Sequence, residues 1–316
     1  PAPLYTQWFA NYARVDSSVN FSYQATGSGD GIAQITAKSV DFAGSDAILT
    51  DEQFGKAPGI QMIPMVAGPV VPIYNLKATD GQPITAGLNL PYTALADIFL
   101  GKITRWNDPV LVKANPDLAL PDKDIITVHR SDSSGTTFAF TDYLSHVSPA
   151  WKTQVGSATS VKWPVGMEGA GSNGLANTVA QNDGAIGYVE YAYAVQHGLP
   201  SASVQNKADL YVIPTTFSVQ AAMEDFGLNP NDRGGVSLVD SASKGAWPIS
   251  TYTYLLVYSD QQDCAKAQKL VAFVKWALGD GSQTANDLKY IPLSSAVRDS
   301  ALTRLARMTC NGKPLQ

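Results

Sequence analysis

Arg130-Ser131-Asp132-Ser133-Ser134-Gly135-Thr136-Thr137-Phe138 gathers a guanidinium, a carboxylate, a run of hydroxyls and a glycine into one short stretch. Directly after it, Phe140, Tyr143, Leu144 and Val147 fall at i, i+3, i+4 and i+7, one face of an amphipathic helix. The polar cluster therefore stands at a helix N-terminus, where unpaired backbone N–H groups and the positive end of the macrodipole favour negative charge. Gly135 lets the backbone approach a ligand closely, Ser134 and Thr136 add hydroxyl donors, and Arg130 adds a planar positive fork. Together they have the chemistry of a small-oxyanion site. Ser-Gly-Thr ahead of a helix is equally an ordinary N-cap, and Arg130 with Asp132 equally a surface ion pair. The stretch alone does not separate these readings.

Two other segments share its design of hydroxyl, glycine and acid at a strand end. Gly27-Ser28-Gly29 opens a helix with Ile32 and Ile35 inward, and Ser45-Asp46 ends the short strand Val40-Asp41-Phe42-Ala43-Gly44. Three such loops with one arginine among them suggest convergence on a single small anion. Asp46 is the odd member, because a carboxylate repels an anion unless the ligand carries a proton. Phosphate near neutral pH keeps a P–OH donor and sulfate has none, so a buried Asp46 would accept from the first and reject the second. A site that leaves a buried polar group unpaired can discriminate by about four orders of magnitude. A turn or N-cap aspartate is the commoner fate of Ser-Asp. A Ser-His-Asp hydrolase is disfavoured: of His129, His146 and His197, only His129 adjoins the cluster, and strand alternation turns its side chain away from that of Arg130.

These loops need elements to hold them, and the chain supplies an alternation of strand, turn and helix. Helical faces are expected at Tyr5–Tyr12, at 95–100 and at Lys266–Leu278. Strands are expected at Val19–Gln24, Ile125–His129, Ala185–Tyr188 and Tyr252–Tyr258, and the apolar run Met62–Tyr74 reads as a buried strand or a crossing between domains. Such alternation indicates α/β sheets flanked by helices, with ligands beyond the carboxyl ends of strands. The 316 residues, 45% apolar and 16% charged, suffice for two domains. The net charge of −5 gives no reason to expect nucleic acid as a partner, and an acidic protein must hold an anion with local donors. No run of about 18 apolar residues indicates a membrane span. Pro1-Ala2-Pro3 reads as a processed or trimmed start. Cys264 and Cys310 are either two buried thiols or a disulfide closing the C-terminal helical region, which export would favour; their spacing lacks the pattern of a zinc site. Trp163, Trp247, Tyr188, Tyr191 and Tyr193 read as packing residues.

Several strings together resemble the periplasmic phosphate-binding proteins of high-affinity phosphate ABC importers. They are Pro1-Ala2-Pro3, Val40 to Ala47, Leu100-Gly-Lys-Ile103 with Trp106, Arg130 to Phe138 and Val161 to Gly166. The rest are Gly184-Ala-Ile-Gly-Tyr-Val-Glu-Tyr-Ala-Tyr193, Ala246-Trp-Pro-Ile249 and Gln283 to Leu288. The resemblance spans nearly the whole chain, and the Gly184–Tyr193 string is its most specific part. It implies a two-lobed, hinge-closing type II binding-protein fold, each lobe a mixed sheet flanked by helices, with the ligand cleft between lobes. Lobe 1 would comprise 1–73 and 252–316, lobe 2 would comprise 74–251, and the hinge crossings would lie near 72–75 and 247–251. Carried over by position, Ser28, Asp46, Arg130, Ser134, Gly135 and Thr136 would contact phosphate, and Asp132 would hold the Arg130 guanidinium. The implied protein is a monomeric periplasmic or extracytoplasmic receptor, free or anchored, without cofactor, metal or catalysis, that hands phosphate to a membrane permease. The alternatives are a phosphate-ester hydrolase with Ser134 or Thr136 as nucleophile, and a receptor for sulfate or molybdate. This sequence departs from the pattern in two ways. The family's first strand, with a Gly-Ala-Thr-Phe turn that donates to phosphate, would precede Pro1. Ser133 and Asp30 stand where glycine is frequent.

Overall fold

The apolar run in the first quarter of the chain is one long strand, Ile60–Asn75, buried along nearly its whole length. A strand covered on both faces carries a continuous apolar run rather than alternation, which is what Met62 to Tyr74 displays. A second long strand, Ile249–Tyr258, is buried in the same way. The computed structural model describes residues 1–229 and 231–315. Within it the chain folds as two compact units. The first is built from Pro1–Gly68, Phe226–Ser237 and Tyr252–Gln316, and the second from Pro69–Asp225 and Leu238–Thr251. Each long strand begins in one unit and ends in the other.

In the first unit the strand Ala43–Ser45 pairs antiparallel with Ile249–Tyr258, with Ala43 opposite Leu256, Gly44 opposite Leu255 and Ser45 opposite Tyr254. The helix Ser28–Thr36 lies directly against it. A Cβ on Gly31 would stand 2.8 Å from the Gly44 carbonyl oxygen, so only glycine permits this approach. The core is aromatic: Phe9 and Tyr12 of the helix Ala2–Tyr12 meet Phe273 of the helix Cys264–Leu278 at centroid distances of 5.2 and 5.3 Å. Arg304 is buried and donates to the carbonyls of Met62, Gly234 and Asn229, which ties the Phe226–Ser237 segment into this unit. Cys264 and Cys310 form a disulfide beside the small sheet of Asp260–Gln261, Thr309–Cys310 and Lys313–Pro314.

The strand expected at Val19–Gln24 is not one: this stretch has no regular secondary structure. Its alternation nevertheless has a physical basis. Phe21 stacks on Phe9 at 4.4 Å and Tyr23 on Tyr5 at 5.6 Å, so every second residue is packed. Side-chain burial produces the period of two, but no strand among the described residues supplies a ladder for the backbone. The strand expected over 40–44 is Ala43–Ser45, which leaves Asp46 immediately beyond its end.

The second unit holds a mixed sheet. Residues Val70 to Asn75 run antiparallel to Ala185–Glu190. That strand runs parallel to Ile126–Arg130, which in turn runs parallel to Met167–Gly169. The helices Gly135–Val147, Gly171–Gln181 and Tyr92–Phe99 pack within it. Phe140 stacks face to face on Tyr188 at 4.3 Å, and Phe99 meets both rings edge-on. Phe140, Tyr143 and Leu144 are the buried face of their helix, as their spacing implies. No helix among the described residues is long and apolar enough to cross a membrane.

Candidate functional site

The strand Ile126–Arg130 delivers Arg130 as its last residue, and the chain turns through Ser131-Asp132-Ser133 into the helix that starts at Gly135. Alternation along the strand sends the two neighbouring side chains apart. His129 stacks on Trp163 at 4.9 Å, and burial lowers its pKa, so it belongs to the packed interior of this unit. Arg130 points to the loop instead. Its Nε donates to Asp132 Oδ1 at 2.7 Å, its Nη2 to Asp132 Oδ2, and its Nη1 to Ser172 Oγ at 3.1 Å. This fork-to-fork pairing fixes the plane of the guanidinium. Burial works against the charge of Arg130, but the bonds and charge of Asp132 outweigh it and raise the Arg130 pKa, with Tyr188 and Glu190 contributing. The guanidinium therefore stays cationic although its side chain is only 8% exposed.

The loop is pinned from two sides. The Ser134 N–H donates to the Thr159 carbonyl at 2.8 Å, and Ser133 Oγ donates to Thr159 Oγ1 at the same distance. On the other side, the Gly171 N–H donates to Asp132 Oδ1 at 2.9 Å. Ser133 is not among the residues with left-handed backbone, so a side chain at that position costs no strain. Ser134 caps the helix by accepting from the Thr137 N–H at 3.2 Å. The N–H groups of Gly135 and Thr136, the first two of the helix, have no acceptor among the described residues. Ser134, Gly135 and Thr136 are buried. The sequence left open whether this stretch was a cap or an anion site, and the structure shows a capped helix start with two open amides, preceded by a loop that carries a buried, clamped guanidinium.

The first unit holds the other two candidates, and it brings them together. Ser28 is the first residue of the helix Ser28–Thr36, preceded by Gly27 at φ 97°. The Asp46 N–H donates to Ser28 Oγ at 3.2 Å, so the Asp46 backbone at the strand end is joined to the Ser28 hydroxyl at the helix start. Both are buried. Thr253, in the strand Ile249–Tyr258, donates from Oγ1 to Asp46 Oδ1 at 2.6 Å. Asp30 lies in the first turn of the Ser28–Thr36 helix, where negative charge complements the helix dipole.

Sequence reasoning missed Ser172, Gly171, Thr159, Tyr188 and Thr253. Tyr188 was read only as packing. Its hydroxyl also accepts from the Arg130 N–H at 3.3 Å and lies 2.7 Å from Thr137 Oγ1, so it ties the strand end to the helix start. The motif Gly171-Ser172-Asn173-Gly174 was the available signal for Ser172, since it too opens a helix.

The two α/β units place the chain among the PBP superfamily, whose domain matches residues 1–280. The chain is 42% identical over 292 residues to a phosphate-binding protein PstS of Xylella fastidiosa, covering 92% of this chain and 78% of that one. It is also 42% identical over 300 residues to PstS of Haemophilus influenzae, covering 94% and 87%. The chain belongs to the PstS family of phosphate-binding proteins. Among solved structures, a phosphate-binding protein from Stenotrophomonas maltophilia superposes with a TM-score of 0.72 at 22% identity, over 94% of this chain and 93% of that one. A high-affinity periplasmic phosphate-binding protein, PfluDING, bound with phosphate, superposes with a TM-score of 0.68 at 19% identity, over 92% of each chain. At these identities the superpositions speak for the fold.

Proposed function

We propose that this protein binds inorganic phosphate, outside the cytoplasm, and passes it to the permease of an ABC importer. It does so without turnover. Arg130, Ser28, Ser134, Gly135 and Thr136 supply charge and donors, and Asp46 reads the proton on the ligand. The observation that carries this reading is the Arg130 cluster: a buried guanidinium held on Asp132 and Ser172, on the loop that leads into a helix start with two open N–H groups. Such a constellation selects a small tetrahedral oxyanion over a larger polyanion, because its donors are few and fixed. Membership of a family named for phosphate binding favours phosphate among such anions.

Phosphate is also the tetrahedral anion that suits a buried aspartate. Hydrogen phosphate presents acceptor oxygens to Arg130 and the amides and still donates one P–OH hydrogen bond, which a carboxylate accepts. Sulfate offers Asp46 no hydrogen and leaves two anions opposed in a buried place.

Isothermal titration with phosphate and with sulfate tests the proposal, on the wild type and on Asp46→Asn. The wild type binds phosphate and rejects sulfate, and Asp46→Asn narrows the gap because an amide can donate to sulfate. Sulfate binding as tight as phosphate binding in the wild type, or no phosphate binding, overturns the reading.

A further inference from the structure

Asp46 lies one residue beyond the strand Ala43–Ser45, and the pairing there has a consequence for its side chain. Ser45 sits opposite Tyr254 in an antiparallel ladder. Continuing that register by one step places Asp46 directly opposite Thr253. Residues so placed project to the same face with their Cβ atoms about 5 Å apart, within reach of a short side chain. The structure bears this out: Thr253 Oγ1 donates to Asp46 Oδ1 at 2.6 Å, with Thr253 3% and Asp46 6% exposed.

We propose that Thr253 is a specificity-determining positioning residue, which sets the orientation of the Asp46 carboxylate and thereby the preference for a protonated over a fully deprotonated tetrahedral anion. The inference rests on the phosphate reading above. Three features carry it. First, the Asp46 backbone is already held by its N–H bond to Ser28 Oγ, so the carboxylate retains only its own side-chain rotations, and the Thr253 bond restrains them. Second, the donor is a neutral hydroxyl. A lysine or arginine in its place would cancel the carboxylate charge that repels sulfate, whereas a hydroxyl orients the group and leaves the charge in place. Third, a threonine hydroxyl has a single proton. With that proton on Oδ1, Thr253 cannot serve as a further donor to the anion, so it acts through Asp46 and not on the ligand. Threonine suits the task because its β-branch stiffens χ1 in a strand.

The test compares Thr253→Val, which keeps the shape and removes the hydroxyl, with Thr253→Ser, which keeps the hydroxyl. Kd values for inorganic phosphate and for sulfate are measured by calorimetry at one pH, and thermal melting reports folding. A hydrogen bond to a charged group corresponds to about a 10- to 100-fold change in affinity. Thr253→Val is therefore expected to narrow the phosphate-to-sulfate ratio at least ~10-fold, and Thr253→Ser to hold it within about 3-fold of wild type. A merely structural role would weaken both anions alike and leave the ratio unchanged. A folded Thr253→Val with the wild-type ratio overturns the proposal, as does a Thr253→Ser that loses as much selectivity as Thr253→Val. If Thr253→Val fails to fold, Thr253→Ala is read against Thr253→Ser by the same criteria. A wild type that binds phosphate, with an unmoved ratio in the variants, overturns Thr253 alone; a wild type that binds no phosphate overturns both readings.

Discussion

Replacing Asp132 with alanine isolates the ion pair on which the Arg130 cluster depends. The carboxylate receives two guanidinium N–H groups and the Gly171 amide, and the variant loses all three at once. It also leaves a guanidinium whose side chain is 8% exposed without its countercharge. Breaking a buried pair from one side costs about 3–5 kcal/mol. Asp132 is itself 30% exposed, so water screens part of the interaction and the low end, about 3 kcal/mol, applies. For a unit of this size that is a fall in Tm of roughly 6–12 °C. The pH dependence is a second signature. Burial opposes ionisation of Asp132, but the hydrogen bonds and charge of Arg130, with the Gly171 amide, outweigh it and hold the pKa below the usual carboxylate value. A folded-state pKa below the unfolded one contributes stability that is fully present above the unfolded value, about 3.9, and is lost as pH falls through the folded value. The gap between wild type and Asp132→Ala is therefore flat near neutrality and closes below about pH 4. Urea unfolding between pH 3 and 7, at fixed ionic strength and without phosphate, measures it. A gap under about 1 kcal/mol at pH 7, the size expected of a surface pair, refutes the reasoning, and so does a gap that widens on acidification.

Two further perturbations concern the first unit. Reducing the Cys264–Cys310 disulfide, or replacing both cysteines with serine, frees a loop spanning 46 positions; loop entropy sets the loss at about 4 kcal/mol at most. Urea unfolding of this unit with and without reductant measures it, and a loss well above that ceiling would show that the bond supports native packing as well. Gly31→Ala places a methyl 2.8 Å from the Gly44 carbonyl oxygen and should cost about 1–3 kcal/mol while displacing the strand that leads into Asp46. Melting temperature and phosphate affinity should fall together, whereas Gly55→Ala, with nothing within 4 Å of the new methyl, should leave affinity unchanged.

Much of the local structure was legible because it follows from side-chain spacing. The helix after the Arg130 cluster was marked by Phe140, Tyr143, Leu144 and Val147; the first three are buried and Val147, its last residue, is half-buried. The long strand from Ile60 to Asn75 was marked by its unbroken apolar run. Val19 to Gln24 shows where spacing misleads. Its alternating residues are packed by aromatic rings, and a strand needs, besides a pattern, a neighbour to share hydrogen bonds with. Boundaries moved for the same kind of reason: the helix expected from Lys266 begins at Cys264, because Asp263 caps it by accepting from the Lys266 N–H.

The residue types of the candidate site were set by the sequence alone. Arg130 with Asp132, the helix-opening Ser134-Gly135-Thr136, Ser28 and Asp46 could be named from chemistry and position in the chain, because charge, donors and helix starts are local properties. Their distant partners were decided only by the tertiary structure. Ser172 lies 42 positions from Arg130 along the chain, and Thr253 lies 207 from Asp46. No local pattern relates residues so far apart, because strand pairing and helix docking bring them together. Those distant partners help to clamp the Arg130 guanidinium and orient the Asp46 carboxylate.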